Sequence, residues 1–437
     1  MPSPTVIEPR WVVPVEPATV ALEAHAVVIA GDRILAVLPV ADAASRYPEA
    51  FRIHLPDHAL IPGLINLHTH AAMTLMRGMA DDLALMDWLK NHIWPAEAQM
   101  VSDEFVYDGT LLACAEMLRG GITCFNDMYF FPEATARAAL QSGMRAALGI
   151  LAIEFRSAYA SDAQDYLAKG MALRDTLRDE PLLSFCLAPH APFTVSDATF
   201  IQIATFAGEL DIPVHIHIHE TAKEVAESLT QHGVRPLARL EKAGLLSPGL
   251  IAVHSVHLDD REIALFASHG CSVAHCPSSN LKLASGIAPI TRLLQAGVNV
   301  GLGTDGAASN NRLDLFAEMR LAALLAKGSS GDATAMPAHK ALECATLGGA
   351  RALGLQDRIG SIVPGKFADL TAVNLAGSEL SPCYDPISHL VYAAGREHVS
   401  DVWIGGERRL ADGKLANLDE SAIRAKARQW QMRIRPS

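Results

Sequence analysis

The sequence is poor in several features that mark large classes of protein. Only 19% of its 437 residues are charged, and the net charge is −12. No cluster of lysine and arginine occurs, which argues against a nucleic acid partner. There is no run of 18 or more apolar residues, so no membrane span is expected. A basic stretch followed by an apolar one is also missing from the first residues, so no signal peptide is expected.

Cysteine is scarce and scattered. The seven cysteines include no Cys-x-x-Cys pair, so they indicate reduced core residues of a cytoplasmic protein rather than a disulfide framework. The same absence excludes the nucleobase deaminases whose zinc is held by a Pro-Cys-x-x-Cys motif. A Gly-x-Ser-x-Gly nucleophile elbow is missing as well, and with it the usual sign of a serine hydrolase.

Hydrophobic residues make up half of the chain, enough for a large core. From residue 59 onward, apolar strands alternate with helical stretches, the pattern of βαβ units around a parallel sheet. Eight candidate strands are at 60–67, 122–127, 146–153, 183–188, 214–218, 250–253, 271–274 and 298–303. They predict an α/β fold, a (β/α)8 TIM barrel, whose active site lies at the carboxyl ends of its strands.

Short β-rich segments with turn signals lie at both ends of the chain. A hairpin signal, Gly31-Asp32, stands within residues 1–57, and the β pattern returns near residue 360. We predict that 1–57 and 360–416 form one small β-sandwich domain beside a barrel of residues 58–359, with a C-terminal helix at 417–437. The long segment 71–102, rich in methionine and leucine, predicts a lid over the active site.

Histidines stand where the predicted barrel strands end. His68 and His70 follow the first strand, and two residues apart in an extended chain they point the same way. The fifth strand alternates so that its three histidines share one face, and Asp305 ends the eighth. The further strand-end histidines are His190, His215, His217, His219, His254, His257 and His275. Imidazoles and carboxylates meeting at one rim predict a zinc or iron site that keeps a position for water. Since such an ion lowers the pKa of bound water to about 7, the site indicates a hydrolase.

Five motifs carry a resemblance to a known family over almost the whole chain. They are PGLINLHTH at 62–70, HIHET at 217–221, SSNLKL at 278–283, GTDGAASNN at 303–311 and GKFADL at 365–370. With them the chain resembles the amidohydrolase superfamily, in its branch of 5′-methylthioadenosine/S-adenosylhomocysteine deaminases. The resemblance implies a barrel of the metal-dependent hydrolase type that holds one divalent metal ion, with zinc the first choice. The implied ligands are His68, His70, His217 and Asp305.

The resemblance also assigns roles around that ion. Glu220 is implied as the proton shuttle to the purine N1, and His254 as the hydrogen-bond partner of the attacking hydroxide or the oxyanion. Asp305 would both bind metal and take the proton of the hydroxide. Glu97 is implied to accept hydrogen bonds from the ribose hydroxyls, and His190 to reach the purine or ribose side of the substrate.

The predicted function is hydrolytic deamination of a small-molecule adenine nucleoside: 5′-methylthioadenosine, S-adenosylhomocysteine or adenosine. One alternative is another aminohydrolase or chlorohydrolase acting on guanine, a pterin or a triazine. A non-catalytic member of the fold is disfavoured because all four ligand positions and Glu220 are intact. Members that bind homocysteine's carboxylate use arginines after the third strand, where this chain offers only Arg156. That departure favours methylthioadenosine or adenosine, and the sequence leaves a homo-oligomer open.

Overall fold

The computed structural model describes residues 3–434 of the chain. Within that range, eight parallel strands form a barrel and nine further strands form a mixed sheet. The barrel strands are Leu64–Thr69, Ile122–Asp127, Arg145–Ala152, Leu183–Pro189, Val214–Ile218, Leu250–His254, Ser272–His275 and Asn299–Leu302. The strands of the mixed sheet are Thr5–Val12, Leu22–Glu23, His25–Ala30, Arg33–Pro39, Phe51–Pro62, Leu370–Asn374, Val399–Ile404, Glu407–Ala411 and Lys414–Leu415. The predicted barrel is confirmed.

Helices follow most of the barrel strands along the chain. The α-helices are Val40–Arg46, Leu85–Asp87, Trp94–Met100, Asp103–Arg119, Pro132–Ser142, Ala163–Leu177, Asp197–Leu210, Ala222–His232, Pro236–Lys242, Asp260–His269, Pro277–Lys282, Ile290–Gln295, Ala307–Asn310, Leu315–Ser330, Ala338–Ala345, Leu347–Ala352, Pro386–Tyr392 and Glu420–Ile434. Short 3₁₀ helices are at Ala71–Met76, Ser378–Leu380 and Arg396–His398, and a π-helix is at Trp88–Ile93. Among the described residues, no helix combines the length and the hydropathy needed to cross a membrane.

Hydrogen bonds between the first and eighth barrel strands close the barrel. The Asn66 amide donates to Thr304 Oγ1 over 2.8 Å, and its oxygen accepts from the Thr304 backbone N–H over 2.9 Å. The backbone N–H of Asp305 donates to the carbonyl of His68 over 3.0 Å. Asn66 and Thr304 are fully buried, so these bonds are shielded from water. The seam therefore places Asp305 directly beside His68.

The mixed sheet joins the two ends of the chain, as the sequence predicts. The strand Phe51–Pro62 pairs in parallel with Thr5–Val12 and antiparallel with Leu370–Asn374. The predicted limits of the domains, at 57/58 and 359/360, remain predictions of the sequence. The tail forms the helix Glu420–Ile434, while residues 435–437 of the predicted C-terminal helix and residues 1–2 lie outside the described residues.

The predicted first strand, 60–67, is wrong in its bounds. The apolar run is divided into two strands at Gly63. Residues up to Pro62 belong to the mixed sheet, and the barrel strand starts at Leu64. Pro62 has no N–H for a sheet ladder, and the N–H of Gly63 donates to the carbonyl of Asp369 over 2.9 Å. A Cβ on Gly63 would lie 2.1 Å from Thr123 Oγ1, so only glycine fits this crossing.

A buried ion pair links the barrel to the mixed sheet. Arg145 opens the third barrel strand, and its Nε donates to Asp369 Oδ2 over 2.5 Å. The other oxygen of Asp369 accepts from Arg145 Nη2 over 3.1 Å and from the Gly405 N–H over 2.8 Å. Arg145 is 6% exposed and Asp369 4% exposed. Each charge therefore depends on the other for compensation inside the protein.

Replacing Arg145 with methionine is expected to lower the free energy of unfolding by about 3–5 kcal/mol, because the Asp369 carboxylate stays buried without its cation. Urea unfolding followed by circular dichroism measures the change. The control is Arg137→Met, which removes the partner of Asp103 from a pair whose side chains are 50% and 51% exposed. The control should cost less than about 1 kcal/mol. Equal losses in the two variants would contradict the prediction.

Candidate active site

Four side chains from three barrel strands meet at the carboxyl end of the barrel. The ligand atoms of His68, His70, His217 and Asp305 all lie within 4.8 Å of one another. Asp305 Oδ1 is 3.2 Å from His68 Nε2 and 3.3 Å from His70 Nε2, and His217 Nε2 is 3.2 Å from His68 Nε2. Three imidazole nitrogens and one carboxylate oxygen so arranged are a donor set for a divalent metal ion.

Hydrogen bonds on the far side of each imidazole fix which nitrogen faces the centre. His70 Nδ1 is 2.5 Å from the carbonyl of Met128, and His217 Nδ1 is 2.7 Å from the carbonyl of His190. A carbonyl only accepts, so each Nδ1 carries the proton and each Nε2 turns a lone pair inward. His68 Nδ1 is 2.9 Å from His215 Nε2, and if His215 accepts at that nitrogen, His68 Nε2 also turns a lone pair inward. These residues therefore fit a metal ion.

The Asp305 carboxylate is held by short polar contacts. Its Oδ2 accepts from Ser279 Oγ over 2.6 Å and from Ser309 Oγ over 2.8 Å, and its Oδ1 accepts from the Gly306 N–H over 2.7 Å. The backbone of Asp305 has a φ of +59°, in the left-handed region that costs a non-glycine residue free energy. That conformation turns the side chain from the eighth strand toward the imidazoles.

Glu220 and His254 lie next to the four ligands. His254 Nδ1 is 2.8 Å from Asn280 Oδ1, and its Nε2 is 3.9 Å from Glu220 Oε2. Glu220 Oε1 accepts from Ser285 Oγ over 3.3 Å. Burial raises the pKa of Glu220 above its usual range, so this carboxyl group can carry a proton closer to neutral pH. Both side chains line the same cavity as Asp305.

That cavity has a volume of about 570 Å³ and opens above the ligands. Its wall is mostly apolar and comes largely from the segment 71–102 and from the loops after the second and third strands. Among the described lining residues, Arg156 is the one lysine or arginine. The size and the apolar wall suit a small organic molecule with a few polar groups.

Glu97 and His190, the two implied substrate contacts, both line the cavity. Glu97 Oε1 accepts a hydrogen bond from the Tyr129 hydroxyl over 2.8 Å. Burial raises the pKa of Glu97 to about 7, against the opposing effect of that bond. His190 Nδ1 is 3.1 Å from Thr194 Oγ1, and burial lowers the pKa of His190 to about 3, so its ring is neutral.

The three histidines of the fifth strand do not share one face as predicted. His215 and His217 both point into the barrel and contact His68. The strand ends at Ile218, and His219 has a φ of +53°, which breaks the alternation. The ring of His219 turns away from the cavity, where its Nε2 accepts from the Leu237 N–H over 3.2 Å.

Several residues that support the site were not predicted from the sequence. Ser279 and Asn280 belong to the SSNLKL motif, which marks them in the sequence but does not indicate what they contact. In the structure they bind Asp305 and His254. Tyr129 follows the second strand, whose end carries no histidine, and nothing in the sequence marked it. Glu224 is buried and accepts from the backbone N–H groups of His219 and Glu220, which fixes the turn after the fifth strand.

The barrel and its His/Asp centre define a class, the barrel hydrolases that act through a metal ion. The sequence profile described as the amidohydrolase family matches residues 59–409. A 5-methylthioadenosine/S-adenosylhomocysteine deaminase from Teredinibacter turnerae is 48% identical over 428 residues, covering 98% of this chain and 97% of the relative. A deaminase of the same name from Saccharophagus degradans is 45% identical over 433 residues, covering 99% and 97%. The chain therefore belongs to the amidohydrolase family, in its branch of 5-methylthioadenosine/S-adenosylhomocysteine deaminases.

Solved structures give the same architecture. The crystal structure of an adenosine deaminase from Xanthomonas campestris with bound zinc is 54% identical in sequence, with a TM-score of 0.98 and 99% of each chain covered. An atrazine chlorohydrolase from Arthrobacter aurescens, complexed with zinc, is 25% identical, with a TM-score of 0.90 and coverage of 98% of this chain and 100% of the other. The same barrel thus occurs in enzymes named for quite different substrates.

The four-residue centre is expected to bind one equivalent of a divalent metal ion per chain. Dialysis against a chelator should abolish activity and lower the melting temperature, because an ion that binds only the folded state stabilises it. Elemental analysis should find one equivalent in the wild type and well below one in His217→Ala. The control, His232→Ala, alters an exposed histidine at the end of a helix and should retain the full equivalent. A full equivalent in His217→Ala would overturn the assignment.

Proposed function

We propose that this protein hydrolytically deaminates adenine nucleosides, namely 5′-methylthioadenosine, S-adenosylhomocysteine or adenosine, to the inosine derivative and ammonia. The observation that carries the proposal is the meeting of His68, His70, His217 and Asp305 beside Glu220 at the floor of a largely apolar cavity. The names of the relatives at 45–48% identity support the same reaction.

Zinc is the ion that we propose for the centre, with His68, His70, His217 and Asp305 as its ligands. The nitrogen and oxygen donor set suits it, and the structural relative named as an adenosine deaminase contains zinc. A bound zinc ion lowers the pKa of a water molecule to about 7 and so supplies a nucleophile at neutral pH.

The protein's own groups then move the protons. Glu220, whose pKa burial raises, donates a proton to the purine N1 as the attacking water adds to C6. Asp305 accepts one proton of that water at a carboxylate oxygen and delivers it to the leaving amino group, so the C6–N bond breaks and ammonia departs. The second proton of the water passes from the C6 hydroxyl group to Glu220, which leaves a C6 carbonyl and restores the protonated carboxyl group. His254 Nε2, oriented by the bond between Nδ1 and Asn280, faces the oxygen that develops charge at C6.

Glu97 and His190 are the proposed contacts to the sugar side of the substrate. A carboxylate that lines an apolar wall is a strong acceptor for two neighbouring hydroxyl groups. Glu97 accepts one hydrogen bond from Tyr129 and retains further lone pairs for a ligand. The neutral ring of His190 lies 5.0 Å from the ring of His217, centroid to centroid, and so adjoins the metal centre.

The outer part of the cavity is where we expect the 5′ substituent of the nucleoside to bind. Trp94 of the segment 71–102 faces Phe155 of the loop after the third strand, with ring centroids 6.3 Å apart. Aromatic rings favour an apolar thioether such as the methylthio group. Arg156 is exposed at this end and is a single cation for homocysteine's carboxylate. We therefore place methylthioadenosine and adenosine ahead of S-adenosylhomocysteine.

The alternative, an aminohydrolase or chlorohydrolase of guanine, a pterin or a triazine, is less well supported. The atrazine chlorohydrolase is 25% identical to this chain, whereas the deaminases reach 48%. We also propose that the protein works in the cytoplasm on a free small-molecule nucleoside.

Changing Asp305 to asparagine is expected to lower kcat by at least about 10³-fold, because the amide cannot accept the proton of the attacking water. The melting temperature of the metal-loaded variant should stay within a few degrees of the wild type, since asparagine has nearly the same shape. Ammonia release measures the activity. The control, Asp259→Asn, removes a carboxylate at a helix start outside the cavity and should keep full activity. Substantial turnover by Asp305→Asn would refute its role.

A substrate panel tests the proposed reaction itself. Ammonia release should be fastest with methylthioadenosine and adenosine, slower with S-adenosylhomocysteine, and close to background with guanine and cytosine. Glu97→Ala should then reduce kcat/KM for adenosine far more than for free adenine, because only the nucleoside offers ribose hydroxyls. An equal loss of kcat/KM for adenosine and for adenine would contradict the ribose assignment of Glu97. A preference of the wild type for guanine or a triazine would favour the alternative function.

A further inference from the structure

The turn that follows the second barrel strand holds parts of the site that lie far apart in sequence. Asp127 Oδ1 accepts from the Ala71 N–H over 2.7 Å, at the start of the segment 71–102. Met128 contributes its backbone carbonyl to His70 Nδ1. Tyr129 contributes its hydroxyl to Glu97. One short turn thus anchors the base of the segment, a proposed metal ligand and the proposed ribose contact.

Tyr129 is well placed to hold the Glu97 carboxylate. The tyrosine is 4% exposed, and its ring packs against Phe130 with centroids 5.3 Å apart. Within residues 3–434 its hydroxyl is the one hydrogen-bond partner of the Glu97 carboxylate. Glu97 itself lies on the short helix Trp94–Met100, which belongs to the segment 71–102 and not to a barrel strand. A rigid, buried donor on the barrel rim therefore fixes an acceptor on a separate segment.

We propose that Tyr129 is a positioning residue that fixes the Glu97 carboxylate for the two ribose hydroxyls and so sets the preference for ribonucleosides. The proposal rests on the proposed function. An ionised carboxylate has no proton to donate, so the phenol is the donor in this bond. The bond therefore favours the ionised state of Glu97, which accepts hydrogen bonds from hydroxyl groups. Burial acts in the opposite direction, since it raises the pKa of Glu97 to about 7.

The side chain of Tyr129 can be removed from this network without breaking the rest of it. Met128 binds His70 through its backbone carbonyl, and Asp127 binds Ala71 through its own carboxylate. Tyr129→Phe keeps the ring and the packing and removes only the hydroxyl group. Loss of a substrate contact raises KM and leaves kcat near its wild-type value, whereas a disturbed metal centre lowers kcat with every substrate.

Steady-state kinetics on two nucleosides provide the first test. Tyr129→Phe should raise KM for adenosine about tenfold, the size expected for losing a hydrogen bond to a charged group. The KM for 2′,3′-dideoxyadenosine, which lacks both hydroxyls, should change by less than about twofold. The control is Tyr159→Phe, a change in a buried tyrosine that does not line the cavity, and its KM values should match the wild type.

Calorimetric binding of the products gives a readout that does not need turnover. Inosine should bind Tyr129→Phe about tenfold more weakly than it binds the wild type, and 2′,3′-dideoxyinosine should bind both proteins alike. In a Glu97→Gln background, Tyr129→Phe should have no further effect on inosine, because the tyrosine acts through the carboxylate.

The outcomes separate the possible failures. Equal weakening of inosine and dideoxyinosine, or the full tenfold effect in the Glu97→Gln background, overturns the positioning role of Tyr129. A fall in kcat on both nucleosides also overturns it, in favour of a structural role. If the wild type deaminates no adenine nucleoside and binds no inosine, the proposed function itself fails, and the role of Tyr129 falls with it.

Discussion

The convergence of three imidazole nitrogens and one carboxylate oxygen at one point is the constraint on which the rest of the structure depends. Neutral imidazoles turn lone pairs toward each other there, an arrangement that repels unless a cation lies between them. Every outer contact serves that geometry. Carbonyls of Met128 and His190 fix two tautomers, and Ser279 and Ser309 hold the carboxylate. The seam between the first and eighth strands brings Asp305 to His68.

Backbone strain collects at the same rim. His219, His254, Ser255 and Asp305 all have φ between +50° and +66°, a region that costs a non-glycine residue on the order of 1–3 kcal/mol each. Each of them stands where a barrel strand ends. At these positions the backbone leaves the extended path of the strand. The side chains of His254 and Asp305 line the cavity, whereas that of His219 does not. Packing and hydrogen bonds around the rim offset this cost.

Much of this could be predicted from the sequence, and the exceptions have physical reasons. The alternation of apolar strands and helices gave the barrel, and His68, His70, His217 and Asp305 were assigned by motif. The bounds of the first strand were wrong because a continuous apolar run hides the break at Gly63. His219 was misplaced because alternation holds only while the chain is extended, and a positive φ leaves no mark in the sequence. Tyr129 was missed because its partner Glu97 is distant along the chain.

The proposed metal ligands and the proposed substrate contact Glu97 come from different parts of the chain. The proposed metal ligands lie at strand ends, which the hydrogen-bonded barrel holds rigidly. Glu97 and Trp94 lie on a segment inserted after the first strand, most of whose buried apolar residues belong to a cluster separate from the main core of the barrel. Changes in that segment can therefore alter the wall that faces the substrate without moving the ligands. The atrazine chlorohydrolase, with a TM-score of 0.90 at 25% identity, fits this separation. Contacts between the rim and the segment, such as Tyr129 with Glu97, are then where the choice of substrate is coupled to the metal centre.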